Sequence, residues 1–196
     1  AGVRAIFQGL SAYEPNYEAF GKIERHNDIG YPSVLMFTDA NTEDVVSDPN
    51  GYNWNGNSLD YSDRTYTSYE SQMVWNDHYN AIYVANTVIK GYNTGEDPTN
   101  EEARFFYAQG LAARAYFYFN LAQLYQFTYK DNETKPCIPV VTDENTAKSQ
   151  VEGTPCSTVE ETYTQIKSDI DHAITLLEGT SYEREDKRYI SLAVAY

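Results

Sequence analysis

The sequence predicts a mainly α-helical protein, built as an array of helix hairpins with long irregular loops. Three observations predict it. Apolar residues recur at steps of three and four through most of the chain, the period of one helix face. The long periodic stretches are separated by short segments rich in Gly, Pro, Asn and Asp, which form turns. Strand-like character is confined to one short run, Ile138-Pro139-Val140-Val141. Two long helices, a short break, an extended link and a further helix opening a new pair is the organisation of helix-hairpin repeats.

Each element has its own local reason. Val3 to Tyr13 predicts a short helix with Ile6, Phe7 and Leu10 on one side. A second helix is expected within Tyr31 to Val46, with Pro32 at a first-turn position. Residues 48–58, Asp-Pro-Asn-Gly-Tyr-Asn-Trp-Asn-Gly-Asn-Ser, predict consecutive turns. A long helix follows from about Thr67 to Tyr92, its face marked by Trp75, Tyr79, Ile82, Asn86 and Ile89. Trp75 and Tyr79 read as core residues, and Asn86 as the partner of a buried backbone group. Gly91, Gly95 and Pro98 break the chain, and Asp97 to Thr99 offers caps for the next helix. That helix, about Asn100 to Phe127, carries the stripe Phe105, Ala108, Ala112, Ala115, Phe119 and Ala122 and is apolar on other sides too. It is therefore the central, nearly enclosed element. The segment Pro136 to Gln150 reads as extended. A fourth helix begins at Ser157 and Glu160, which fit a capping box, buries Tyr163, Ile166, Ile170, Ala173 and Leu177, and ends at Gly179. Lys187 to Tyr196 reads as the start of a fifth long helix with no stop signal after it, so the chain is expected to be part of a longer protein.

Composition narrows the function. The 14 basic and 29 acidic residues give a net charge of −15, and the basic residues form no cluster. Nucleic acid and anionic membrane surfaces both require the opposite balance. Nor does any stretch approach the ~20 apolar residues of a membrane span. The 19 tyrosines offer flat apolar faces with hydroxyls that donate and accept, which suits a neutral polar ligand.

The ordered motifs carry a resemblance. Trp75-x-x-x-Tyr79-x-x-Ile82-x-x-x-Asn86 comes first, then Glu102-Ala103-Arg104-Phe105-Phe106 and Arg114-Ala115-Tyr116-Phe117-Tyr118-Phe119-Asn120-Leu121. With Thr42-Glu43-Asp44-Val45-Val46 before them, and the link Pro136-Cys137-Ile138-Pro139-Val140-Val141 and the helix Thr158–Ala173 after them, the chain resembles the SusD/RagB family over most of its length. One departure is Gln109-Gly110-Leu111-Ala112 before Arg114, where the family more often has Gly-Glu-Ala-x-Phe-x-Arg-Ala. The resemblance implies a tetratricopeptide-like helical array, with residues 1–196 forming a single partial domain, the N-terminal region of a longer protein. It further implies an outer-membrane, surface-exposed protein of Bacteroidetes, lipid-anchored through a Cys upstream of Ala1. Such a protein binds an oligosaccharide or other nutrient and caps a SusC-like TonB-dependent transporter, without catalysis and without a cofactor.

The best ligand-binding candidates are Tyr52, Asn53, Trp54, Asn55 and Asn57. An aromatic plane suits the apolar face of a sugar ring, and amides suit its hydroxyls, because they donate and accept together. The spacing Trp54-x-x-Asn57 also resembles the placement of glycan-contacting residues in starch-binding members of the family. Tyr61 lies close by in sequence. The three histidines, His26, His78 and His172, make no metal-ligand spacing, so no metal site is expected. Among the carboxylate pairs, Glu101/Glu102 and Glu160/Glu161 read as helix-start charges, while Glu43/Asp44 stays open. Cys137 and Cys156 could close a disulfide worth about 3 kcal/mol in the chain-entropy model, or be two free thiols. Two further functional classes remain: a helix-repeat scaffold for protein–protein interaction, and an α-helical glycoside hydrolase fragment using Glu43 or Asp44.

Overall fold

The computed structural model describes residues 30–46, 51–53, 55–185 and 187–196, apart from the side chain of Asn57. The helix expected at Val3 to Tyr13 lies outside the described residues, as do His26 and Trp54. The chain divides into two compact units, one spanning Gln8–Tyr79 and the other Asn80–Tyr196 with Ala1–Phe7.

In the first unit, helix α1 spans Tyr31–Ala40, with Pro32 in its first turn. It ends at Asn41, whose N–H donates to Phe37 O and Thr38 O (both 3.2 Å) and whose side-chain amide also donates to Phe37 O (3.0 Å). Helix α2 is a single turn, Gly56–Leu59. Helix α3, Tyr69–Tyr92, starts two residues later than the pattern suggests. There the Ser68 hydroxyl accepts from Ser71 N–H at 3.1 Å, an N-cap bond the sequence reading missed. Within this unit α3 buries Met73, Val74 and His78. Trp75 and Tyr79 are half-buried and lie against each other, ring centroids 4.8 Å apart, so they flank the core.

In the second unit, α3 continues through buried Ile82, Ala85, Asn86, Val88 and Ile89. Helix α4, Glu101–Tyr125, is capped by Asn100, whose side chain accepts from Ala103 N–H (3.0 Å), and carries Glu101 and Glu102 in its first turn. Residues from Phe105 to Ala122 are buried on several faces of α4, as its apolar circumference requires. Phe119 departs from the expected stripe: it is exposed, edge-on to Tyr163. Helix α3 reaches α4 at close range, for a Cβ on Gly110 would stand 3.0 Å from Ile89 Cγ1 and 3.2 Å from Val88 Cγ1.

The link after α4 is irregular. An isolated antiparallel bridge, Pro136↔Thr158, is all the β-pairing among the described residues. Residues read as extended instead contain a helix, α5, Thr146–Glu152, which buries none of its residues. With no buried face it has no apolar period. Its signals are the turn made by Asn145, whose side chain accepts from Thr142 N–H (2.9 Å), and Gly153 at φ 76°. Helix α6, Val159–Glu178, opens with a capping box made by Thr158 and Glu161, one residue after the pair the sequence suggests; Gly179 ends it. Both pairs have the right spacing, and the Pro136 bridge at Thr158 fixes which one is used. Helix α6 runs antiparallel to α4: Phe119 meets Tyr163, Arg114 meets Asp169, and Arg104 meets Gly179. Helix α7, Leu192–Ala195, starts later than Lys187, capped by Ser191. The buried Gln109 amide places this start, donating to Ile190 O (2.9 Å) and accepting from Ile190 N–H (2.7 Å). One core joins these helices, from Ile89 through Phe105, Ala108, Leu111 and Ala112 to Ala173, Leu176, Leu177 and Ala195. The array is the helical one the sequence predicts.

Two outcomes follow for stability. Gly110→Val inserts methyl groups where Ile89 and Val88 already stand, so urea denaturation should show a loss of about 2 kcal/mol. His78 is buried, and burial pulls its pKa from 6.5 down to about 4. The unfolded chain therefore takes up a proton below pH 6.5 that the folded one refuses until about 4. Stability from this group is present above pH 6.5 and is lost as the pH falls, by up to about 3 kcal/mol near pH 4. An NMR titration of the imidazole resonances checks it; a midpoint near 6.5 would refute it.

Candidate functional site

The expected ligand segment sits in the first unit as a pair of turns leading into α2. Tyr52 is 85% exposed and Asn53 is exposed, with a left-handed backbone at φ 50°. The Asn53 side chain folds over Gly56, where a Cβ would meet its amide nitrogen at 2.1 Å, so the missing side chain at 56 makes room for it. Asn53 O also accepts from Gly56 N–H (3.1 Å), closing the turn. Asn55 takes the N-cap position of α2 but makes no side-chain cap bond, and Asn57 is the helix's second residue. Trp54 and the side chain of Asn57 fall outside the described residues. The segment that returns to α3 adds exposed aromatics, Tyr61 and the 96% exposed Tyr66. Arg64 lies 3.8 Å over the Tyr61 ring and donates to Asn41 through Nε (2.9 Å, to Oδ1) and Nη2 (2.6 Å, to O). The region thus presents flat aromatic faces and amides on a turn held to α1.

Most of the paired carboxylates have structural work. Glu101 accepts from Ser181 through its hydroxyl (2.7 Å) and N–H (3.1 Å), and these bonds hold its pKa below the usual carboxylate value. Glu160 accepts from the Tyr129 hydroxyl, and Glu161 closes the capping box. Asp97 Oδ1 lies 2.7 Å from His172 Nε2, a pair that ties the α3–α4 turn to α6. Glu43 and Asp44 are exposed just after α1. Among the described residues, no three His, Cys, Asp or Glu side chains are grouped to hold a metal ion. Cys137 and Cys156, offered as a bridge by the sequence, are both free thiols. They stand on paired segments, with Cys137 N–H donating to Ser157 O at 2.7 Å. Cys137, however, is partly covered and engages Thr162, while Cys156 is exposed; burial pushes the Cys137 thiol up.

The densest polar cluster was missed by the sequence reading. Arg114, 4% exposed on α4, donates to both Asp169 oxygens from Nε (2.7 Å) and Nη2 (2.8 Å). Its Nη1 donates to Asn86 Oδ1 (2.8 Å) and Asp143 Oδ1 (2.9 Å). Burial alone would lower its pKa; the Asp169 and Asp143 bonds outweigh that and raise it. Around it, Gln165 donates to Asp169, Asn93 to Asp143, and Asn86 to Val141 O (2.8 Å). Tyr118 both donates to Val141 O (2.6 Å) and accepts from Val141 N–H (2.7 Å). The expected role of Asn86, satisfying a buried backbone group, is thus met at Val141. With four of its five N–H groups donating to protein acceptors, the guanidinium makes the cluster a fastening of the link onto α3, α4 and α6. The available signal was a charged residue inside the apolar run Leu111-Ala112-Ala113-Arg114-Ala115.

Comparison with known proteins places this architecture. The SusD-like family, described as starch-binding and associating with the outer membrane, matches residues 28–196. A SusD-like carbohydrate-binding protein from Bacteroides vulgatus superposes with a TM-score of 0.79 at 23% identity, over 98% of this chain and 38% of the other. A laminarin-binding SusD-like protein superposes with a TM-score of 0.64 at 20% identity, over 99% and 36%. A SusD superfamily protein from Bacteroides thetaiotaomicron gives 0.58 at 18%, over 99% and 39%. At these identities the solved structures show the fold, and the chain spans less than two fifths of their length. No curated protein matches the sequence. Among the described residues, no helix is long and apolar enough to cross a membrane.

Arg114→Leu leaves Asp169 and Asp143 buried with no counter-charge, so denaturation should show a loss of about 3–5 kcal/mol. Adding Asp169→Leu removes one stranded carboxylate and should recover part of it; a double variant no better than the single one would contradict the pairing.

Proposed function

The chain belongs to the SusD-like family, and on that premise we propose that it is the glycan-binding component of an outer-membrane nutrient-uptake system. It binds a neutral oligosaccharide through the segment Tyr52, Asn53, Trp54, Asn55 and Asn57 and leaves the glycan chemically unchanged. The observation that carries the reading is the exposure of Tyr52 and Asn53 on a turn closed onto α2. Tyr52 and Asn53 there are exposed to solvent, where a ring and an amide can meet a sugar. The family description as starch-binding, and the carbohydrate- and laminarin-binding descriptions of two structural neighbours, support the ligand class. The net charge of −15 favours a neutral glycan over a polyanionic one.

In the same proposal the protein is lipid-anchored, faces outward and caps a SusC-like TonB-dependent transporter. The description of the family as associating with the outer membrane supports the location. Co-purification of the full-length protein with such a transporter is expected; capture of an unrelated soluble protein in its place would favour a general helix-repeat scaffold.

The binding claim is tested by calorimetry of the full-length protein with laminarin and with soluble starch. Trp54→Ala should weaken binding about tenfold and Tyr52→Ala several-fold, the scale of one lost aromatic platform. Unchanged affinity in Trp54→Ala removes this segment from the site. A reducing-end assay should find no hydrolysis; turnover abolished by Glu43→Gln or Asp44→Asn would support a hydrolase instead.

A further inference from the structure

Asp63 is a carboxylate whose burial nothing above explains. It is 2% exposed, and its Oδ2 accepts the Ser58 hydroxyl at 2.5 Å. Its Oδ1 is buried with no hydrogen-bond partner. A buried side chain with one neutral donor and one acceptor left unpartnered is costly. Such a cost is tolerated mainly where the group has other work.

The residue it holds points to that work. Ser58, itself 3% exposed, is the third residue of α2, the single turn that follows Asn55 and contains Asn57. Four residues are far too few for a helix to hold itself, and Asn55 adds no side-chain cap bond. The turn is therefore fixed from outside, through the Ser58–Asp63 bond. Asp63 is itself set on fixed ground. Its carbonyl accepts the Ser71 hydroxyl of α3 (3.2 Å), and Ser71 is held in turn by Ser68. The next residue, Arg64, is fastened to Asn41 at the end of α1.

We propose that Asp63 is a positioning residue for the glycan-contacting segment. It transmits the fixed places of α1 and α3 to α2 through Ser58 and so sets where residues 52–57 meet the sugar. This inference rests on the reading of that segment as the ligand contact, and its test separates the two.

The full-length protein is compared with Asp63→Ala, Ser58→Ala, Asp63→Asn and Trp54→Ala. Amide hydrogen exchange is read at Leu59 and Asp60, whose N–H groups donate to Asn55 O (3.0 Å) and Gly56 O (3.1 Å). Affinity for laminarin and soluble starch is read well below the unfolding temperature. In Asp63→Ala and Ser58→Ala, exchange at these two amides should rise about tenfold, exchange along α3 should not move, and affinity should fall about fivefold, the size of one lost hydrogen bond. Asp63→Asn still accepts the Ser58 hydroxyl and should stay near wild type in both readouts. A merely structural residue would lower the unfolding temperature without the localised exchange and without the loss of affinity. Should Asp63→Ala fail to fold, Ser58→Ala, which loses only a hydroxyl, gives the same readouts. Unchanged exchange at Leu59 and Asp60 overturns the proposal, as does faster exchange with full affinity while Trp54→Ala loses binding. If Trp54→Ala binds like wild type, the segment is not the ligand contact and the proposal falls with it, while the exchange data still report whether Asp63 fixes α2.

Discussion

The guanidinium of Arg114 is buried in the middle of an otherwise apolar helix, and the second unit is arranged so that this charge is met. Two carboxylates come to it from different parts of the chain, Asp169 from α6 and Asp143 from the link, and Asn86 comes from α3. The apolar core already packs α3, α4 and α6 together, but apolar contact is non-directional and tolerates sliding. A bidentate bond between Arg114 and Asp169 does not, because both donor–acceptor lines must be kept at once. It therefore fixes the register of α4 against α6. Gln109 does the same for α7 by clasping both backbone groups of Ile190. Helices whose packing faces are largely Ala, Leu and Ile are held in one alignment by a few buried polar side chains.

The same cluster explains how an irregular link can have a defined path. Beyond Ile138, which is fully buried, the residues up to Gly153 contribute little to the core, and α5 contributes nothing. What holds them is polar: Tyr118 on both groups of Val141, Asn86 on Val141 O, and Arg114 and Asn93 on Asp143. Tyr118, Asn86 and Arg114 project from helices already positioned by the core, and Asn93 follows directly on the end of α3. The link borrows its order from the helices, as the segment before α3 in the first unit does through Arg64 and Ser71.

That division sets what the sequence could tell. Helices α3, α4 and α6 were legible to within a residue or two, because burial writes a period of three to four into Ile82–Ile89, Phe105–Ala122 and Ile166–Leu177, while the start of α7 was placed five residues early. Caps were legible as types but not as positions: Ser157/Glu160 and Thr158/Glu161 satisfy the same rule, and a bridge many residues upstream decides between them. Helix α5 was not legible, having no buried face to leave a pattern. The Arg114 cluster was half legible. A lone charge among alanines asks for a partner, but nothing in sequence distance joins 114 to 143 and 169. In the segment proposed to contact ligand the residue types were readable, while the burial of Asp63 and its bond to Ser58 were not, since neither leaves a sequence pattern.

The negative charge of the chain now has an assignment that bears on function. Glu101, Glu160, Glu161, Asp97, Asp143 and Asp169 each accept a hydrogen bond or face a cation inside the fold. A carboxylate committed in this way is held in place by the fold. Glycosidic cleavage needs two carboxyls facing each other across a sugar, several ångströms apart, and these six are distributed among helix starts, a turn and a buried cluster. In the first unit the exposed side chains include the rings of Tyr52, Tyr61 and Tyr66, the amide of Asn53 and the carboxylates of Glu43 and Asp44. On the proposed reading, exposed rings and amides of this kind would stack on and hydrogen-bond to a neutral sugar without polarising its bonds.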